Sequence, residues 1–203
     1  MSRMTCRFAV SLILGVAVSR SMLAQDQAQM PSPERAAQII RTSTLPPLTA
    51  ETHLLDSFLG KWNFTQELRT LPGIKLTGTW TFSRMSDGFM IFDEFRTANG
   101  VGGTIFLGET YRAYNLDTKA WTFEAVNYVA PANPSFKSGK WDAGTTRFEN
   151  GDMIDEITNG DTITRFRFYN IKKTGFSLHG ETSKDGGKTW VSDMEIECVR
   201  AQQ

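Results

Sequence analysis

Residues 60–82, with the sequence GKWNFTQELRTLPGIKLTGTWTF, decide the fold of this chain. Apolar or large side chains alternate with polar ones through 62–68 and again through 74–82, which is the period of a β-strand with one buried face. Leu71-Pro72-Gly73 separates the two runs and supplies the residue types of a tight turn. The stretch therefore predicts a β-hairpin.

The same period of two continues to the C-terminus, in about eleven strand-like runs separated by Gly, Asn and Asp turns. The second half is less regular, with one run at 136–141 and a separate one at 145–148. Connections of roughly two to six residues are too short for parallel crossovers, so neighbouring strands should pair antiparallel. Closure into a barrel would bury the apolar face and remove the sheet edges. We predict an all-β, antiparallel meander of about ten strands closed into a barrel.

One short helix is predicted directly before the first strand. Thr49 offers an N-cap, and Gly60 ends the segment. Four apolar residues recur at helical spacing between them: Leu54, Leu55, Phe58 and Leu59. Residues 25–48 are polar and contain four prolines, which indicates a linker or arm. The proline-free stretch 34–41 allows a short helix within it. The barrel domain is accordingly expected to span 49–203.

The first 24 residues have the pattern of a cleavable export signal. Arg3 and Arg7 precede an apolar run, 8–18, which is too short for the ~20 residues that cross a bilayer. Cleavage is expected after Ala24, with Ser21 as the alternative. The pattern predicts a secreted or periplasmic protein without a stable membrane anchor after cleavage. Cys6 lies within the signal, so Cys198 would be the single cysteine of the mature chain, and its strand phase predicts an inert buried thiol.

Gly60-Lys61-Trp62, placed after a short helix and at the head of the first strand, resembles the Gly-x-Trp signature of lipocalins and their relatives. The resemblance implies a lipocalin-like barrel in which Trp62 packs beneath the barrel floor beside a basic residue of a late strand. Arg200 stands where that residue is expected. A cation over an indole face is favourable by ~0.5–2 kcal/mol, which gives the pairing a physical reason.

From Phe58 to Arg200 the chain resembles a family of mostly bacterial, often exported domains of unknown function with a lipocalin-like, calycin-type barrel. The similarity rests on these stretches: 58–62, 78–80, 87–89, 114–117 and 185–190, with Arg200. Asn115 departs from the family, which often has Asp there. The resemblance implies fold and export, and it transfers no catalytic residue.

Residues 183–190, SKDGGKTW, match the Asp-box pattern of sialidase propellers. The box stabilises a hairpin turn. Asp185 can accept hydrogen bonds from the turn amides, Gly186 and Gly187 supply positive φ, and Trp190 packs beneath the turn. A propeller would repeat it in every blade, whereas this chain holds one copy. The motif predicts a turn and no sialidase activity.

The sequence contains no recognisable catalytic machinery. His53 and His179 are too few for a zinc site, and neither a nucleophile elbow nor a dinucleotide-binding glycine motif is present. The carboxylate pairs Asp93-Glu94 and Asp155-Glu156 are interpreted as solvated strand faces. With 22 basic and 22 acidic residues, the net charge favours no nucleic acid. We expect no metal, and the sequence gives no indication of a cofactor. Whether the protein is an enzyme stays open, although the lack of catalytic motifs argues against it.

A barrel of this size can hold one small ligand, and we predict an exported protein that binds a small hydrophobic or amphipathic molecule in its interior. The candidate ligand-binding residues are Gln66, Trp80, Tyr111, Trp121, Asn127 and Ser192. One alternative is an enzyme or a haem-binding barrel that uses His179, since the nitrobindin type of barrel has a single histidine ligand. Another is a non-catalytic structural or interaction domain with a filled core.

Overall fold

Ten strands form one closed antiparallel barrel, in which each strand pairs with its neighbours in sequence and the last pairs with the first. The computed structural model describes residues 32–130 and 138–202. The strands are β1 (Gly60–Leu68), β2 (Lys75–Met85), β3 (Met90–Ala98), β4 (Thr104–Asn115), β5 (Ala120–Val129), β6 (Lys140–Glu149), β7 (Asp152–Asn159), β8 (Thr162–Lys172), β9 (Gly175–Ser183) and β10 (Val191–Arg200). The predicted closed meander is confirmed.

A short helix, α1 (Pro33–Thr42), precedes the barrel in sequence and belongs to a unit that ends at Pro46, separate from the unit that begins at Pro47. No helix in the described ranges is both long and apolar enough to span a bilayer. The predicted export signal, 1–24, lies outside the described residues, so its cleavage stays a prediction.

The segment just before β1 folds as two 3₁₀ turns, Ala50–His53 and Asp56–Phe58, rather than as the continuous α-helix that its apolar spacing predicts. The residues that it buries completely are spaced by three: Thr52, Leu55 and Phe58. Side chains at i and i+3 eclipse in a 3₁₀ turn, so this geometry directs all three inward. Leu54 faces solvent at 44% exposure.

These turns cover one end of the barrel, which we call the base. Phe58 contacts the inward rings of Phe82, Phe168 and Phe176 at 5.0–5.6 Å between centroids. Trp62 is fully buried beside them, and its indole Nε1 donates to the Phe58 carbonyl at 2.6 Å. Burial of large aromatic side chains here supplies much of the apolar stabilisation of the fold.

Strand β6 is continuous where the sequence indicates two separate runs, 136–141 and 145–148; of these, 136–137 lie outside the described residues. Gly144 explains the difference. A glycine interrupts the strand pattern of the sequence at this position. Within β6, however, Gly144 makes room for the Phe123 ring, since a Cβ at Gly144 would lie 2.5 Å from Phe123 Cζ. Glycine in a strand often marks such a close approach.

Candidate functional site

A layer of charged and polar side chains crosses the barrel interior at mid-height. Arg112 on β4 forms ion pairs with Asp93 on β3 through Nη1 and with Asp155 on β7 through Nη2. The three side chains are 1–4% exposed. Charges this deeply buried persist only when they are paired and hydrogen-bonded.

Each carboxylate of this layer has a second, neutral partner. The indole Nε1 of Trp80 donates to Asp93 Oδ1 at 2.7 Å. The Thr146 hydroxyl donates to Asp155 Oδ1 at 2.5 Å. We call these five residues the polar layer. Buried hydrogen-bond networks of this kind hold the bonded groups of their members in place.

The strand phase explains how the polar layer forms. In the pairs Asp93-Glu94 and Asp155-Glu156, only one member can face inward, because side chains alternate along a strand. Both aspartates face inward and are 1% and 3% exposed, so their interpretation as solvated strand faces is wrong. Glu94 and Glu156 face outward, where each bonds an arginine.

Burial and ion pairing act in opposite directions on the pKa values of Asp93 and Arg112. Burial raises the pKa of Asp93, although Arg112 and the Trp80 indole oppose the shift and Asp155 adds to it. Burial alone would lower the pKa of Arg112, but Asp155 and Asp93 outweigh it and raise that pKa. Arg112 therefore stays charged, and Asp93 is the group of the layer whose protonation burial favours.

Two buried polar atoms have no hydrogen-bond partner within the described part of the chain: Arg112 Nε and the Thr97 hydroxyl oxygen. Thr97 lies on β3, on the same inward face as Asp93 and nearer the opposite end from the base. Thr97 is 1% exposed and Arg112 2%. Buried polar groups are normally satisfied by protein, water or ligand, so both atoms indicate a place where another molecule can bond.

The interior beyond the polar layer, toward the end opposite the base, is accessible to solvent. We call this part the mouth half. Residues paired across a ladder share a face, so the partners of buried interior residues also point inward. Seven inward residues of the mouth half are only partly buried: Phe95, Phe106, Thr110, Ala125, Asn127, Thr164 and Phe166. Thr97 is buried among them. Most inward residues of the base half are buried, and Phe148 is partly buried.

Three of the predicted ligand-binding residues face this interior. Gln66 is 7% exposed, and its Nε2 has Met194 Sδ as a neighbour at 3.5 Å. Asn127 lies in the mouth half opposite Gly108, where its Oδ1 occupies the space that a Cβ on Gly108 would need. Trp80 belongs to the polar layer. The structure thus directs a glutamine, an asparagine and an indole, on β1, β5 and β2, into the barrel interior.

The other three predicted residues lie elsewhere. Trp121 is buried at the base, where its Nε1 donates to the Glu51 carbonyl at 3.0 Å. Tyr111 lies on the outer face of the barrel, and its ring is 6.0 Å from that of the exposed Trp141. Ser192 is half-buried at a register shift in β10. Tyr111 faces away from the interior because it neighbours the inward Arg112 on the same strand.

The histidines do not face the interior. His179 lies between the buried Leu178 and Gly180, so its side chain points outward, where Nδ1 bonds Glu195. His53 is exposed and bonds Asp56 at 2.8 Å. Within residues 32–130 and 138–202, no cluster of three or more His, Cys, Asp or Glu is arranged to hold a metal ion.

The Asp-box residues form the β9–β10 turn. Asp185 accepts hydrogen bonds from the Thr189 hydroxyl and, through Oδ1, from the amides of Thr189 and Lys188. These bonds lower the pKa of Asp185 to about 2. Gly186 and Gly187 have positive φ. Trp190 donates to the Gly187 carbonyl. The side chains of Ser183, Asp185, Thr189 and Trp190 are thus bonded within the hairpin.

Arginines stack on two tryptophans at opposite ends of the barrel. The Arg165 guanidinium lies 3.9 Å from the Trp190 ring centroid beside the Asp-box turn. At the base, Arg200 lies 3.7 Å from the Trp62 centroid, the pairing that the Gly-x-Trp resemblance implies. Gly60 has φ +108°, and a Cβ there would lie 2.8 Å from Arg200 Nη1, so glycine lets the arginine approach.

No protein-family model and no curated protein sequence matches this chain. Among solved structures, Rv2717c from M. tuberculosis is similar at 14% identity over 77% of this chain and 100% of its own, with a TM-score of 0.48. The S-type phycobiliprotein lyase CPES from Guillardia theta is similar at 11% identity over 77% and 94%, with a TM-score of 0.47. A redesigned β-barrel is similar at 14% identity over 74% and 96%, with a TM-score of 0.39. Likeness at this level says nothing about function, and membership of the exported family stays a prediction.

Proposed function

We propose that this barrel binds a small amphipathic molecule in the mouth half of its interior. The observation that carries the proposal is the change in burial along the barrel: most inward side chains are buried at the base, whereas most of those beyond the polar layer are partly exposed. Ligand sites in proteins are concave and mostly apolar, with a few placed polar groups. The mouth half has this composition.

The walls suit a molecule with one polar end. Phe95, Phe106 and Phe166 offer apolar surface, and Phe95 already stacks on Phe64 at 4.1 Å between centroids. Hydrogen-bonding groups lie on both sides of these rings: Arg112 Nε lies in the polar layer, on the base side, and the Thr97 hydroxyl lies nearer the mouth, beside Phe106. Neither atom has a partner within the described residues. A ligand would place its apolar part among the rings and its polar end toward one of these two groups.

Export is the second part of the proposal. The pattern of residues 1–24 supports cleavage and a secreted or periplasmic location for the mature protein. The ligand would then be met outside the cytoplasm. Mass spectrometry of the protein recovered from the periplasm or medium should give an N-terminus at Gln25, or at Met22 for the alternative cleavage site; an intact Met1 there would contradict the proposal.

Binding can be tested with the neutral dye Nile red, whose fluorescence rises in apolar surroundings. The purified mature protein should enhance the dye with saturable binding, and native mass spectrometry should show whether a molecule co-purifies. Ala125→Trp would fill the mouth half, since Ala125 faces inward opposite Thr110. We expect this variant to lose saturable dye binding while it retains the β-sheet circular dichroism spectrum.

The matched control is Ala143→Trp, on the adjacent strand β6 and facing outward. It should bind Nile red as the wild-type protein does. Equal loss in both variants, or binding unaffected by Ala125→Trp, would contradict an interior site. An absorbance spectrum of the same sample tests the haem alternative, and a Soret band would favour it.

An interaction domain is the second candidate. Trp141 is 54% exposed and lies beside Tyr111, whose ring is 5.0 Å from that of Phe92. Exposed aromatic groups of this kind are enriched at protein interfaces. A wild-type protein that binds no dye and carries no co-purified molecule would favour this role.

A further inference from the structure

The polar layer also determines which ligand charge the interior can accept. Arg112 is the cation of this layer, and both of its terminal Nη groups are already bonded to Asp93 and Asp155. Nε is the one nitrogen of Arg112 without a partner among the described residues, and a ligand carboxylate that approached the Nη groups would have to share them with Asp93 and Asp155.

The charges of the layer add up to no net positive charge. With both aspartates ionised, two negative charges face one positive charge. Burial raises the pKa of Asp93, but protonation of Asp93 would still leave Asp155 to cancel Arg112. In either state an incoming anion would meet a carboxylate and lose its hydration without gaining a free cation.

Among residues 32–130 and 138–202, the other cations on the inward face lie at the two ends of the barrel and are paired. Arg84 and Arg200 lie at the base, bonded to the 3₁₀ segment through Asp56 and the Leu59 carbonyl. Lys140 lies at the mouth, more than half exposed, and bonds Asp142 at 2.5 Å. None of these offers a buried, unpaired positive charge to a ligand.

The groups that are available are neutral dipoles. The Thr97 hydroxyl has no partner within the described residues, and the amides of Gln66 and Asn127 face the same interior. Hydroxyl and amide groups both donate and accept, so they suit an alcohol or a carbonyl. We infer that the interior selects neutral amphiphiles with a hydroxyl or carbonyl group and rejects carboxylates with the same chain, an inference that rests on the proposed function.

The test compares dodecanol with dodecanoate as competitors of Nile red on the wild-type protein at neutral pH, below the concentrations at which either aggregates. We expect dodecanol to displace the dye with an apparent Kd lower by at least about tenfold, since juxtaposed like charges cost several kcal/mol. Equal or tighter displacement by dodecanoate would overturn the inference and leave the proposed function standing. Absence of saturable dye binding would overturn both.

Asp155→Asn tests the cause. The amide keeps the shape of the side chain and removes one negative charge from the layer. Its oxygen can still accept from Arg112, and its NH2 can donate to the Thr146 hydroxyl, which both donates and accepts. The affinity for dodecanoate should rise by about tenfold, whereas the affinity for dodecanol should change by less than about threefold. No change in the ratio of the two affinities in a folded variant would contradict the inference.

Glu156→Gln is the matched control. It makes the same change of charge one residue away, on the outer face, where Glu156 bonds Arg165 and Arg147. The ratio of the two affinities should stay at the wild-type value. A rise equal to that of Asp155→Asn would show that net charge, rather than the polar layer, sets the preference. Should Asp155→Asn fail to fold, the wild-type comparison still decides.

Discussion

The Arg200 guanidinium lies 3.7 Å from the centroid of the Trp62 ring, where β10 pairs with β1 and the barrel closes. The same group donates from Nη1 to the Leu59 carbonyl and from Nη2 to the Ser57 carbonyl at 3.3 Å. One side chain therefore joins the last strand, the first strand and the 3₁₀ segment that covers the base. The contact unites elements far apart in sequence.

Replacement of this arginine should destabilise the fold through both kinds of contact. We expect Arg200→Ala to lower the free energy of unfolding by about 1–4 kcal/mol, since it removes the cation–π contact and the hydrogen bonds to carbonyls. Urea unfolding followed by tryptophan fluorescence measures the change. Arg200→Lys keeps a cation and should lose less; equal loss in both variants would rule out a contribution from the cation over the ring.

Gly78 should not tolerate a side chain. A Cβ there would overlap the Arg96 carbonyl oxygen and lie 2.5 Å from Phe64 Cζ. Overpacking of this kind typically costs about 1–3 kcal/mol, and we expect Gly78→Ala to lower the midpoint of urea unfolding accordingly. Thr77→Ala, at the exposed neighbouring position, is the control and should cost clearly less. An unchanged midpoint for Gly78→Ala would contradict the close packing of Phe64.

The Cys198 thiol should be inert until the barrel opens. It is free and 2% exposed, and burial raises its pKa, so thiolate is scarce in the folded protein. Ellman's reagent should label it rapidly in denaturant and only at the rate of opening in native buffer. Rapid labelling of the native protein would contradict its burial.

The fold follows from local patterns that the sequence displays directly. The period of two from Trp62 onward and the short connections are sufficient to predict a closed meander. Two details escape such patterns because tertiary packing decides them. Gly144 suggests a break until the Phe123 ring over it is known, and the buried set at Thr52, Leu55 and Phe58 has a period of three that only the barrel base requires.

The polar layer could not be predicted in the same way. Arg112 bonds partners 19 and 43 residues away, and nothing in the pattern of one strand indicates which strand lies across the interior. Asp93 and Asp155 do share the phase of Ile91 and Met153, which are fully buried. A charged residue in an apolar phase was the available signal, and the adjacent glutamates made a solvated face the simpler interpretation.

The polar layer should leave a signature in the pH dependence of stability. The pKa of Asp93 in the folded protein is raised above its ordinary value of 3.8, chiefly by burial, with Arg112 opposing and Asp155 adding to the shift. Between 3.8 and the raised value, the folded state holds a proton that the unfolded state has lost, so Asp93 makes the free energy of unfolding fall as pH rises through this window.

Asp93→Asn cannot titrate, and we expect its stability relative to wild type to improve as pH rises across the window, whatever its absolute level. Urea unfolding at a series of pH values measures this, with Glu94→Gln on the outer face as control. A relative stability of Asp93→Asn that is constant, or that worsens as pH rises, would show that Asp93 is not the buried group whose ionisation the fold resists.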